Sequence, residues 1–348
     1  MDETLDVEPE ELQPPESVRT PGRTWTEMPR DLPESGEGSI DVQAPDEVVV
    51  EEADEVFRLI EIERNSFHAF HASNLEPEDA VRLRIEESPE EPVRIETRLQ
   101  EGFYPHHVVV EVEDGVEVEV IEENLGTGFL DSSMTEAVLG DSAELEYTRL
   151  NSLGECAGYS VSRVHTGENS TVDWTTVSTG SELYRNKVRT ELRGRHSQLC
   201  YRLGFLSSSE QHMDHTAEVV HASDSTSCDI DARGVAMDSS RAVYKGVQQV
   251  DEEAENTESF QNEKTVVMGE DAEADTTPQL RIDNSDVEAT HAATTGHIDK
   301  QDLFYMRSRG IRGERARREI ISGMFEDLLD AEAMSLVKRK IEDSLTSS

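Results

Sequence analysis

Three short segments set 27 residues apart constrain this chain more than anything else in it: Gly140-Asp141-Ser142-Ala143, Gly167-Glu168-Asn169-Ser170 and Gly194-Arg195-His196-Ser197. Each is followed by alternating apolar and polar positions, as in Leu145-Glu146-Tyr147 and Thr171-Val172-Asp173-Trp174. A further glycine-polar segment, Gly180-Ser181-Glu182, falls near the midpoint of the last interval. Turns repeated every half period are what a coil of strands requires. Each rung must bend at the same corner and stack its apolar side chains on the rung before it. Evenly spaced turns also suit a β-sandwich, so the spacing alone leaves that architecture open.

The chain divides by periodicity. Residues 1–55 are rich in Pro, Glu and Asp, with Pro14-Pro15, Pro21-Gly22 and Pro33 interrupting regular structure, and are expected to form a largely irregular acidic arm. Within it, Trp25 is expected to anchor the arm on a folded surface. Residues 56–298 run with period two: Val108, Val110, Val112, Val116, Val118 and Val120 alternate with Glu111, Glu113, Glu117 and Glu119 around a turn at Asp114-Gly115. This predicts strands that are apolar inside and acidic outside. Residues 299–348 switch to the helical period. Gly310 suits the end of a first helix, and Ala316, Ile320, Ile321, Met324, Phe325, Leu328 and Leu329 mark one face of a second. Met334, Val337, Ile341 and Leu345 mark a third.

Charge narrows the function classes. Against 76 Asp and Glu stand 32 Lys and Arg, only six of them Lys, for a formal charge of −44. Self-repulsion of that size disfavours a compact state, but in molar salt the Debye length shrinks to about 3 Å and the repulsion is screened. A folded protein of a salt-adapted cytoplasm is the expectation; disorder is the alternative that the composition alone allows. The same charge argues against a nucleic-acid partner. No apolar run is long enough to span a bilayer, and Met1-Asp2-Glu3-Thr4 lacks the features of a secretory signal. Cys156, Cys200 and Cys228 are odd in number and lack CxxC spacing, which speaks against a disulfide framework.

Enzyme motifs are missing: no GxGxxG, Walker A loop, GxSxG or HExxH occurs. His212 and His215 read as surface histidines of a strand and loop rather than a metal pair. His291 follows the strand-like Asp286-Val287-Glu288-Ala289-Thr290 and precedes Ala292-Ala293-Thr294-Thr295-Gly296, small residues that leave room around an imidazole suited to iron. A histidine bonded to a backbone carbonyl at the solenoid edge is the plainer reading of the same pattern. Arg307, Arg309, Arg312, Arg315, Arg317 and Arg318 form a local reversal of charge beside Phe304 and Tyr305, a composition typical of an interface. Neutralisation of the acidic solenoid by the same arginines fits equally well.

Taken together, Pro278-Gln279-Leu280-Arg281-Ile282, the segment His291-Ala292-Ala293-Thr294-Thr295-Gly296, and Leu303-Phe304-Tyr305-Met306-Arg307-Ser308-Arg309-Gly310-Ile311 resemble the C-terminal half of the SufB/SufD family, scaffold proteins of iron–sulfur cluster assembly. Arg233-Gly234-Val235, Ser240-Arg241-Ala242-Val243-Tyr244-Lys245-Gly246 and Thr20-Pro21-Gly22-Arg23-Thr24-Trp25 are also similar to it. The likeness is to SufD more than SufB. His291 matches the histidine of the SufD-like motif His-Gly-Ala-Thr-x-Gly, with Ala292 in place of the usual Gly. The Glu that follows this histidine in SufB-like proteins, and their cysteine some 28 residues earlier, correspond here to Ala292 and Glu263.

The resemblance implies a right-handed parallel β-helix with a C-terminal helical docking domain, and a non-catalytic scaffold. It implies a SufB-like partner that shares a transient iron–sulfur cluster at His291, with no permanently bound cofactor. It further implies that Phe304, Tyr305, Arg307, Arg309, Arg312, Arg315 and Arg318 dock a SufC-like ATPase. A homodimer is the expectation for the chain alone. A carbohydrate-active β-helix enzyme, with carboxylates grouped in a groove, and a purely structural solenoid adaptor are the rival readings.

Overall fold

The computed structural model describes Pro33 and residues 36–52, 59–60, 67–311 and 313–346. The segment Thr20–Trp25 and residue Arg312 lie outside the described residues. Two strands open the chain, β1 (Gly36–Gln43) and β2 (Val48–Glu52), followed by helix α1 (Phe67–Asn74). Then come β3 (Ala80–Ile85), the long β4 (Val93–Val112), β5 (Glu117–Gly126), β6 (Leu130–Leu139), β7 (Glu144–Asn151) and β8 (Ala157–His165). The middle of the chain forms β9 (Thr171–Ser178), β10 (Leu183–Leu192), β11 (Gln198–Ser207), β12 (His212–His221) and β13 (Ser227–Ala236). The last strands are β14 (Arg241–Val250), β15 (Thr257–Val267), β16 (Glu273–Ile282) and β17 (Val287–Gly296). Three helices end the chain: α2 (Lys300–Ser308), α3 (Gly313–Phe325) and α4 (Ala331–Thr346).

Successive strands alternate between two facing parallel sheets, so the architecture is a β-helix and not a sandwich. One sheet stacks β4, β5, β7, β9, β11, β13, β15 and β17. The other stacks β3, the second half of β4, β6, β8, β10, β12, β14 and β16. The Asp114-Gly115 turn is therefore a corner between sheets. At the start of the rod β1 and β2 pair antiparallel to β4 and β3. Both strands fall in the segment whose prolines suggested irregular structure, because the alternation in Ile40, Val42 and Val48 is too short to register against that background.

The 27-residue period is literal. Val93, Val120, Tyr147, Trp174 and Tyr201 occupy one inward column at that spacing. Trp174 is fully buried and stacks on Tyr147 with ring centroids 4.1 Å apart. Beyond Tyr201 the column continues through Ile230, Gln261 and His291, at steps of 29, 31 and 30 residues.

At the corners, the glycines work differently from a simple turn residue. A Cβ on Gly167 would lie 2.4 Å from the Gly140 carbonyl oxygen, and one on Gly194 would lie 1.9 Å from that of Gly167. Glycine is thus required for close stacking of one rung on the next. The left-handed backbone falls two residues later, at Ser142, Asn169 and His196, and continues at Ser225 and Asn256. Short polar side chains tolerate that conformation best among L-residues. The N–H groups of Ser142, Asn169, His196 and Ser225 each donate to a carbonyl of the next rung, Glu168, Arg195, Asp224 and Glu255, at 2.7–3.2 Å. The corner thus carries its own ladder of hydrogen bonds.

Helix α1 interrupts the period-two region. Its Phe67 and Phe70 pack with Phe103, Leu130, Met134 and Tyr159 on the outer face of one sheet. On the other sheet, Ile121, Leu150, Val177, Leu206 and Val235 face outward and receive Ile321, Phe325, Leu328, Leu329, Met334 and Val337 from the C-terminal helices. Burying each such side chain contributes about 1.5–3 kcal/mol. Leu328 and Leu329 share this cluster from the turn after α3 rather than from the helix itself. Gly204 lies beneath the helices, where a Cβ would meet Leu329 at 3.2 Å.

Candidate functional site

The final rung is built differently from the rest. Among the described residues, β16 pairs only with β14 and β17 only with β15, leaving both strands with a free edge. His291 lies in the middle of β17, not after a strand as its context suggested. It is in register with Gln261, whose side chain points into the rod, so the imidazole shares that inward parity. Because no rung follows among the described residues, the ring is exposed rather than enclosed. Ala289, Ala293 and Thr295 share its face, and Thr295 meets Thr276 of β16 across the interior, Oγ1 to Oγ1 at 3.4 Å. The small neighbours leave the ring accessible from the free edge. His297, just beyond the strand, donates through Nδ1 to the Val267 carbonyl at 2.8 Å and so ties the rung's exit to β15.

The second candidate surface is helical. Asp299 caps α2, accepting from the Gln301 N–H at 2.7 Å. Gly310, at φ +83°, follows the helix's last residues in the left-handed conformation expected of a C-terminal glycine. Phe304 is 74% exposed and Tyr305 57%. The Arg309 guanidinium lies 5.3 Å from the Tyr305 ring centroid, a geometry in which the cation is attracted to the ring face. Arg307 and Arg315 are exposed, and Arg318 is half-buried. Arg315 pairs with Glu319 at 3.6 Å, one turn along the same helix rather than with the solenoid.

His212 and His215 do not form a pair. They lie on opposite faces of β12: His212 points outward, while His215 is fully buried in the interior beside Phe205 and Tyr184. The surface reading is therefore wrong for His215, because a spacing of three puts two residues on opposite sides of a strand. Burial pushes its pKa down to about 3. Cys156 and Cys228 are buried and Cys200 is intermediate, all as free thiols raised by burial. Among the described residues no group of three or more His, Cys, Asp and Glu is placed to hold a metal ion. No helix among them is long and apolar enough to cross a membrane.

The sequence reading missed a polar line inside the rod. Glu122 and Arg149 are stacked in register on β5 and β7, both fully buried. Arg149 Nη2 donates to Glu122 Oε2 at 2.6 Å and Nη1 to Ser162 at 3.0 Å, with Ser160 and Thr135 also accepting from it. The Tyr147 hydroxyl donates to the same carboxylate. The guanidinium holds the Glu122 pKa down against the burial that would raise it. The available signal was phase: after Val118 and Val120, Glu122 and Asn124 fall on the inward beat. Nearer the open end, the buried Glu263 accepts from the Thr265 hydroxyl.

Comparison with known proteins supplies the context for these surfaces. The family described as SUF system FeS cluster assembly, SufBD core domain, matches residues 94–324. The chain is similar to the iron-sulfur cluster assembly SufBD family protein ABCI8, chloroplastic, of Arabidopsis thaliana, at 27% identity over 71% of this chain and 48% of the relative. It is similar to the iron-sulfur cluster assembly protein SufD of Bacillus subtilis at 26% identity, over 72% of this chain and 60% of the relative. Against SufD of Escherichia coli the identity is 39%, over 28% of this chain and 23% of the relative. The chain spans about half to three-fifths of the first two relatives.

Proposed function

This chain belongs to the SufBD family of iron–sulfur cluster assembly proteins, and we propose that it acts there as a SufD-like, non-catalytic scaffold subunit of the cytoplasm. The observation that carries the reading is the free edge of β16 and β17, with His291 exposed on it. Parallel strands with open edges present unpaired N–H and C=O groups that another chain can complete. A SufB-like subunit of the same rung geometry suits this edge, and in its absence a second copy of this chain does. The nascent cluster is cargo: His291 supplies an imidazole to a site that the partner completes, since no group of three or more His, Cys, Asp and Glu among the described residues is placed to hold a metal ion.

The helical surface is assigned to a SufC-like ATPase. Exposed Phe304 and Tyr305 flanked by Arg307, Arg309 and Arg315 give an apolar anchor with a cationic rim, and Arg318 and Arg312 belong to the same segment. Helices α3 and α4 are packed on the rod, so movement of a bound ATPase can be passed to it. The test is cluster assembly in a complex reconstituted with SufB-like and SufC-like partners. His291→Ala is expected to lower cluster yield at least about tenfold while leaving the complex intact. Unchanged yield removes His291 from the mechanism.

A further inference from the structure

Beneath the terminal rung lies a carboxyl group that the reading above does not use. Glu263 is on β15 with inward parity and no exposed surface. Its register partner on β17 is Ala293, two residues from His291, and Gln261 lies directly under His291. Diagonal neighbours of this kind are separated by roughly 7–8 Å along a sheet, within the reach of a glutamate and an imidazole that converge on one ion. Ala293 sets only a methyl group over Glu263 on this face of β17.

The carboxyl is held toward that face. Oε1 accepts from the Thr265 hydroxyl, and the Thr276 hydroxyl and the Thr294 main-chain N–H lie close to the same group. Both of the latter belong to the terminal rung, so the carboxyl reaches up into it. Oε2 closes no hydrogen bond of good geometry, and neither do the Oε1 and Nε2 atoms of Gln261. Buried polar atoms are nearly always satisfied, so a carboxylate oxygen with no well-formed bond, facing the Thr276 hydroxyl and Thr294 N–H one rung below an exposed imidazole, needs an explanation, as does the Gln261 amide turned toward Gly246 across the rod. Carboxylate, amide oxygen and imidazole are donors that ferrous iron accepts.

We infer that Glu263 is a second protein group of the His291 site, a carboxylate that engages a divalent metal ion together with the imidazole at the open end. This rests on the scaffold reading above and extends it inward by one rung. In forming the site, a metal–oxygen bond replaces the O–H bond of any protonated Glu263, and the proton leaves to solvent at the free edge. The metal keeps its oxidation state, and the Thr265 hydroxyl continues to donate to the other oxygen. The remaining coordination positions are left for the partner subunit.

The test is Co²⁺ titration of the purified complex with its SufB-like partner, followed by the visible absorption of the bound ion. Glu263→Gln keeps shape and hydrogen bonding and is expected to weaken Co²⁺ binding at least about tenfold with a changed spectrum. Glu263→Asp should recover part of the loss, and the melting temperature without metal should be little changed in Glu263→Gln. Wild-type affinity and spectrum in Glu263→Gln, with His291→Ala impaired, overturn the inference alone. Wild-type behaviour in both variants overturns the His291 reading with it. A loss of Co²⁺ binding that tracks a loss of melting temperature assigns Glu263 to packing and also overturns the inference.

Discussion

The Arg149 guanidinium donates to Glu122 at 2.6 Å inside the rod, and neither side chain has any exposed surface. Two adjacent rungs are joined there by a charge pair in a place where stacked aliphatic residues would serve packing as well. Removing one partner strands the other charge without water. Arg149→Met is expected to cost about 3–5 kcal/mol of stability, measured by denaturant unfolding. The double variant Glu122→Leu with Arg149→Met should recover much of that loss.

Acid should weaken the fold through its buried histidines. Burial lowers the pKa of His215 to about 3 and of His221 to about 4, and lowers those of His71 and His107. A histidine whose pKa is lower folded than unfolded binds more protons when unfolded. Its contribution is complete above about pH 6.5 and is lost as pH falls toward the folded value. Each fully buried group adds a slope of about 1.4 kcal/mol per pH unit in that window. His215→Leu should flatten the acid limb of a stability–pH curve by one such slope and cost little at pH 8, since neither ring nitrogen of His215 has a hydrogen-bond partner.

Gly194 and Gly323 should respond oppositely to alanine. At Gly194 the added carbon meets backbone 1.9 Å away, so two rungs must separate; the expected cost is about 2 kcal/mol or more. At Gly323, inside α3, nothing lies within 4 Å, and alanine should stabilise by about 0.5–1 kcal/mol. Thermal unfolding of the two variants decides the point.

Phe304→Ala and the pair Arg315→Glu with Arg318→Glu separate docking from folding. Phe304 is largely exposed, so its loss should leave the melting temperature within a degree or two (about 0.5 kcal/mol). Affinity for a SufC-like ATPase, measured by calorimetry, should fall about tenfold or more for either variant. Intact binding would leave these residues as surface.

The rod was legible in the sequence because its early rungs keep a constant length. Gly140, Gly167 and Gly194 recur on the same beat that the structure gives to Tyr147, Trp174 and Tyr201. After Tyr201 the step lengthens, and the glycine position two residues before each left-handed corner passes to Ser223 and Ala254, so the repeat fades although the fold continues. Helix α1 was not visible because Phe67-His68-Ala69-Phe70-His71 is too short to establish a helical period. His291 was legible by resemblance, its exposure only from the missing neighbour of β17. Glu263 was marked in the sequence only as standing where SufB-like proteins carry a cysteine, and its burial follows from its parity on β15.

The rod's two ends are not alike: one begins with short antiparallel strands of eight and five residues, the other stops at parallel strands ten residues long. Among the described residues long parallel edges exist only at the second end, so the proposed pairing would consume the surface that recruits. A scaffold pair joined in the way proposed would therefore leave no second long edge among the described residues on which a fibre could grow.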